Sequence, residues 1–148
     1  MKMFILQFTS IVLLLIVLTT CTQDSKQDIE NHSADEQAAV QSAKKWLALV
    51  DEGKYRDSWD EAADVFKNAV TIDEWEEMLS KTRPPFGAVL ERIVKTKSYE
   101  TSVPGVPDGE YVVIQFQTKY EHKANTIETV TPSKEEDGKC RVAGYYIN

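Results

Sequence analysis

Two thiols, two imidazoles and a scatter of phenols and carboxylates are the groups in this chain that could do chemistry. Cys21 closes a run that is apolar without a break from Ile11 to Leu18, and Cys140 stands alone near the other end. A thiol at such a junction is a candidate nucleophile, because the thiolate is the reactive form. The histidines are His32 and His122, and neither lies at ligand spacing from a cysteine or an acidic pair. The His/Cys set that zinc requires is therefore missing, and no metal is expected. A nucleophilic triad needs a positioned base, and neither histidine supplies one. Gly105 and Gly109 sit between two strand-like runs rather than ahead of a helix, so no phosphate-cradling loop or cofactor is expected. Strand phase could turn Tyr99, Tyr120, Tyr146 and Glu128 inward, where burial would shift a pKa toward acid–base work. None has a second titratable group paired with it in the sequence. They read as tyrosines with hydroxyls at a rim and a surface acid, and no catalytic residue is assigned.

The segment before Cys21 has one charge, Lys2, then an apolar middle and small residues. That is the layout of a signal peptide over residues 1–20, and the run is shorter than the ~20 apolar residues of a spanning helix. Leu18-Thr19-Thr20-Cys21 resembles a bacterial lipobox, with Thr20 where Gly, Ala or Ser is usual. In such precursors the cysteine thiol takes a diacylglyceryl group and a peptidase cuts just before it. The resemblance implies a membrane partner reached through an N-terminal lipid, since two or more acyl chains hold a protein stably. It places the chain in the bacterial envelope. In a cell with two membranes, Thr22 rather than Asp after the cysteine implies the periplasmic side of the outer membrane. Residues 22–33, TQDSKQDIENHS, are polar and read as a disordered tether. With Cys21 acylated, Cys140 has no mate and reads as a small buried hydrophobe.

The elements that must position everything else follow in residues 34–148, read as one domain. Ser33-Ala34-Asp35-Glu36 has capping-box spacing, and Ala39, Ala43, Trp46, Leu47 and Val50 recur on one helical face. Gly53 is the expected stop. Tyr55, Trp59, Ala62 and Phe66 repeat the spacing, with a break near Asp64. Thr71-Ile72-Asp73-Glu74 opens a third helix that Arg83-Pro84-Pro85 ends. Strands follow over Phe86–Thr101, Glu110–Glu121, Asn125–Thr131 and Lys139–Ile147, with turn chemistry at Pro107-Asp108-Gly109 and Asp137-Gly138. The fold class is α+β: three N-terminal helices packed on a curved, cone-like antiparallel sheet of about four strands. Trp46, Trp59 and Trp75, one per helical stretch, read as core.

The net charge of −7 argues against nucleic acid, whose phosphates need basic partners. The charge is uneven. Ala34 to Lys81 carries 12 acids and 6 bases, while Thr82 to Asn148 carries 9 of each. The helical half is thus the acidic half, read as a solvated face.

The segments KKWLALVDEGKYRDSWDEAADVFK (44–67), RPPFGAV (83–89), PGVPDGEYVVIQFQTKYEHK (104–123) and ETVTPSKEEDGKCRVAGYY (128–146) resemble the bacterial envelope family known as domain of unknown function 4019. That family is similar in plan to the nuclear-transport-factor-2-like cone, which also serves ketosteroid isomerases and polyketide cyclases. Cys140 departs from the pattern, which has Trp there. The family has no assigned function, so no catalytic residue is carried over, and the chain reads as an envelope protein that binds a small ligand or another envelope protein without catalysis. The alternative that the cone plan implies is a small cone-fold enzyme of the isomerase or dehydratase type. That plan also implies pairing through the outer sheet face. Strict alternation along the strands puts Tyr111, Val113, Tyr145 and Ile147 on that face as the interaction surface of a homodimer.

Overall fold

A computed structural model describes residues 21–148, with side chains from His32 onward. The expected signal segment 1–20 lies outside the described residues, and so does the side chain of Cys21. Helix α1 (Cys21–Asp51) leads into α2 (Tyr55–Asp60), α3 (Asp64–Ala69) and α4 (Ile72–Thr82). A 3-10 turn over Pro84–Phe86 follows, then β1 (Val89–Glu100), β2 (Glu110–Tyr120), β3 (Thr126–Lys134) and β4 (Cys140–Ile147). The strands form one antiparallel sheet in the order β1-β2-β3-β4, so the α+β class stands. The middle helical stretch is broken before Asp64, as its spacing implied.

Two expectations at the start of α1 are corrected. Residues 22–33 are helical rather than a tether, and Ser33 lies inside the helix instead of capping it. The reason is compositional: no Gly or Pro occurs between Cys21 and Asp51, so nothing stops a helix from propagating past a capping-type sequence. The same motif at Thr71 does start a helix. There the Glu74 N–H donates to Thr71 Oγ1, and the Thr71 N–H donates to Glu74 Oε2 at 2.9 Å. Gly53 ends α1 with φ +72°, as the Gly53 N–H reaches the Val50 carbonyl and the Lys54 N–H the Leu49 carbonyl.

α1 lies across all four strands. Its buried stripe of Ala39, Ala43, Trp46, Leu47 and Val50 meets Val112, Ile114, Phe116, Val130 and Val142 of the sheet, together with Phe66, Trp75 and Leu79. Trp46 and Trp75 are buried and Trp59 half-buried, and the indole N–H groups are satisfied locally. Trp46 donates to the Ser58 carbonyl at 2.6 Å, Trp75 to Ser58 Oγ at 3.0 Å, and Trp59 to the Val70 carbonyl at 2.8 Å. Ser58 is fully buried because it serves two of these rings.

Bulges set which side chains face this core. The β1–β2 register skips a residue at Leu90 and again at Lys95, which is why the alternation of β1 is blurred in the sequence. Thr131 pairs with Gly144 but Pro132 pairs with Val142, so Ala143 is an extra residue in β4. Pro132, which has no N–H for a ladder, lies at this break. After Ala143 the phase of β4 is reversed.

Candidate functional site

The bulge in β4 decides what the sheet presents to the helices. Val142 and Tyr145 both turn to the core face, and Tyr146 turns out with 63% of its surface exposed. The Tyr145 ring packs edge-on against Trp46 at 5.3 Å between centroids. Its hydroxyl donates to Glu128 Oε1 at 2.8 Å. Glu128 is 0% exposed, which overturns its reading as a surface acid. It sits between Thr126 and Val130, the inward phase of β3, opposite Phe116 of β2.

A buried carboxylate needs compensation, and Glu128 has it in full. Arg92 Nε donates to Oε2 at 2.7 Å, and Thr118 Oγ1 donates to the same oxygen at 2.5 Å. Arg92 reaches inward from β1 opposite Thr118. It also grips Asp51, the last residue of α1, with Nη1 to Oδ2 at 2.6 Å and Nη2 to Oδ1 at 3.0 Å. Asp51 Oδ1 accepts once more, from Arg83 Nη2 at 2.8 Å. Arg83 caps the C-terminus of α4, is 5% exposed, and stacks 4.6 Å above the Tyr120 ring. The result is an alternating chain, Arg83–Asp51–Arg92–Glu128, with two positive and two negative groups. It joins the ends of α1 and α4 to β1 and β3.

Burial alone would raise the Glu128 carboxyl. The Arg92 charge, with hydrogen bonds from Arg92 and Thr118, outweighs burial and holds it below the usual carboxylate range. Burial likewise opposes the charge on Arg92, yet its bonds to Asp51 and the Glu128 charge push its pKa up. Tyr145 and Tyr120 are pushed up by burial first and by the Glu128 charge second. Both phenols therefore stay neutral. Tyr120 is 1% exposed and its hydroxyl is sealed inside rather than placed at a rim.

The other residues marked out by the sequence lie apart from this chain of ions. Tyr99 faces α1, stacks on His32 at 4.1 Å and donates its hydroxyl to Glu110 Oε1 at 3.0 Å. Cys140 is half-buried, and burial pushes its thiol up, away from reactivity. His122 is exposed in the β2–β3 turn. Among the described residues no three His, Cys, Asp or Glu side chains are gathered as a metal ion would need. Among them, too, no helix is long and apolar enough to cross a membrane.

The expected outer patch of Tyr111, Val113, Tyr145 and Ile147 does not form as such. Tyr145 is on the core face, and Ile147 pairs with Glu128 and shares its side. Tyr111 is on the outer face but only 5% exposed. The loop between β1 and β2 folds back over it, so that Val103 and Val106 pack on Tyr111, Ala143 and Ala63. The Tyr111 hydroxyl ties that loop down through the Pro107 carbonyl at 2.6 Å. Val113 keeps its outward place, half-buried. A shallow hollow of about 260 Å³ remains between the loop and the outer sheet face, edged by Pro104, Thr129, Thr131 and Tyr146. A second, of about 570 Å³, runs between α1 and β1 beside Gln37, Gln41 and Lys97.

Asp51, Arg83 and Arg92 were not singled out from the sequence. A signal for Arg92 exists: with the bulge at Leu90 allowed, it falls in the inward phase with Val94, and a charge there calls for a buried partner of opposite sign. Asp51 and Arg83 are helix-end residues whose partners lie 32 to 41 positions away, and no local pattern marks them.

No curated protein matches this chain. A family model does match, over residues 42–145, a span that contains every member of the ion chain together with Thr118, Tyr120 and Tyr145; it is described as "Protein of unknown function (DUF4019)", and the chain belongs to that family.

Proposed function

We propose that this is a lipid-anchored protein of the bacterial envelope whose folded domain is a non-catalytic binding or interaction module. The observation that carries the non-catalytic part is the state of Glu128. Among the described residues it is the buried acid of the core face, and its two oxygens are taken by Arg92, Thr118 and Tyr145. A general base must offer a free lone pair to a substrate proton, and a general acid must hold a proton near neutral pH. Glu128 does neither, because its charged form is the favoured one and its acceptor sites are filled. The Tyr145 ring beside it packs into an aromatic cluster with Trp46, Phe66 and Trp75, and a core face filled by such rings favours a module over a cone-fold isomerase or dehydratase.

The anchor rests on Leu18 to Cys21 and the apolar run before it. Feeding cells labelled palmitate tests it. Label is expected on the wild-type chain and not on Cys21→Ala, which also stays uncut. Equal label on both chains overturns the anchor. On a density gradient of a two-membrane cell, the wild type is expected with the outer membrane, and banding with the inner membrane overturns that placement.

A further inference from the structure

We infer that the end of the sheet beside Arg83 is a buried binding site for a small cluster of ordered water molecules. Four buried polar atoms carry the inference: Arg83 Nε, Arg83 Nη1, the Tyr120 hydroxyl and Thr126 Oγ1 find no hydrogen-bond partner among the described residues. Arg83 is 5% exposed, Tyr120 1% and Thr126 0%, so bulk solvent does not serve them. They belong to one corner of the fold. Tyr120 ends β2 and Thr126 begins β3, in the inward phase shared with Thr118 and Glu128. The Arg83 guanidinium lies 4.6 Å from the Tyr120 ring and 5.7 Å from the Phe86 ring, which attract its charge but offer its edges no lone pair. Asp51 takes Nη2 alone. Glu128 is near enough for its charge to raise the Tyr120 phenol, yet its oxygens already accept from Arg92, Thr118 and Tyr145. Leaving all these groups dry would cancel much of the net stability of an ordinary domain.

Charge selects water as the occupant. The two arginine nitrogens can only donate, so the ligand must accept. In the ion chain, Arg83 and Arg92 are already matched by Asp51 and Glu128. An anion beside Arg83 would add a buried charge with no counterpart. Lys123 lies over the Phe86 ring but is exposed, so it does not neutralise an ion held inside. Water accepts and donates without adding charge. The Nε and Nη1 hydrogens of a guanidinium diverge, so one oxygen cannot take both and more than one water is needed. A closed site with several polar partners is where proteins hold long-lived water. These waters extend the ion chain from Arg83 to Tyr120 and Thr126, and so tie the C-terminus of α4 to the β2–β3 turn.

A high-resolution crystal structure of the full chain, grown with bromide as the anion, tests this, and it does not depend on the lipid anchor. Oxygen-sized peaks are expected within hydrogen-bond reach of Arg83 Nε and Nη1, with one shared by the Tyr120 hydroxyl or Thr126 Oγ1. No anomalous bromide signal is expected there. A bromide peak beside Arg83 overturns the inference. So does a corner with no density, or one where the four atoms bond to protein groups instead. Urea unfolding gives a second reading. Thr126→Val keeps the shape of the side chain and deletes one partner of the waters. It is expected to lower the folding equilibrium constant about fivefold, the ordinary loss for one hydrogen bond. A variant as stable as the wild type, or more stable, overturns the inference, because deleting a hydroxyl that bonds to nothing relieves the fold. If Thr126→Val does not fold, Tyr120→Phe takes its place with the same expectation.

Discussion

Glu128 shows how much a single side chain can hold. Its carboxylate gathers Arg92 from β1, Thr118 from β2 and Tyr145 from β4, so four strands converge on one buried charge. Removing the charge leaves Arg92 short of one anion in a dry setting, and breaking a buried pair is far more damaging than never having built it. Glu128→Gln is expected to destabilise the fold by about 3 kcal/mol in urea unfolding, with no change in the urea dependence. The contrast is Arg56, which bridges Asp73 and Glu76 at the surface. Arg56→Ala is expected to leave the melting temperature where it was, because solvent screens an exposed pair. Equal losses from the two variants would mean that the buried chain is no more than another surface network.

At the scale of elements, two four-residue motifs of the same type behave differently. Thr71 opens α4 through reciprocal bonds with Glu74, while Ser33 lies within α1. Thr71→Ala is expected to cost about 1 kcal/mol, the ordinary loss for an N-cap. Ser33→Ala is expected to be neutral or slightly stabilising, since Ala is the better residue inside a helix. Thermal melts of the two variants side by side check both. A loss at Ser33 as large as that at Thr71 would place the start of α1 at Ser33. The bulge at Ala143 is the other element that matters. It turns Tyr145 inward to close the ion chain, and it turns Tyr146 outward onto the exposed face of the sheet.

For the whole molecule, the lowered carboxyls set the acid limit. Glu128 titrates below the ordinary range because Arg92 and its hydrogen bonds outweigh the burial that opposes its charge. Asp137 is brought to about 2 by its bonds to Arg141 and the Lys139 N–H. A carboxyl whose folded pKa is depressed stabilises the fold above its unfolded pKa and stops doing so as pH falls through the folded value. Stability is therefore expected to be level above about pH 5 and to fall steadily from about pH 4.5 toward pH 2. Glu128→Gln should flatten that slope. At the other limit, Tyr120 and Tyr145 are raised by burial, so their contribution holds below the ordinary phenol value and is lost as pH climbs above about 10. Urea midpoints measured across both ranges check the two limits, and an acid slope unchanged in Glu128→Gln would remove Glu128 from the account.

The order of elements, the α+β class, the stop at Gly53, the cap at Thr71 and the tryptophans of the helical face were legible in the sequence, because each depends on residues a few positions apart. Helical spacing, turn chemistry and capping pairs are local, and local signals survive translation into a linear string. What only the tertiary structure decided was phase and pairing. The extra residue at Ala143 reverses the face of every side chain after it, so that strict alternation assigns Tyr145 and Tyr146 to the wrong sides. Loop closure over Tyr111 depends on where Val103 and Val106 land, which no spacing encodes. The ion chain links residues up to 41 positions apart, and each charged member looks like a surface residue until the fold pairs it, with Glu128 and Arg83 removed from water and Asp51 left at the edge. A buried charge is marked by its partner, and the partner is chosen by the fold.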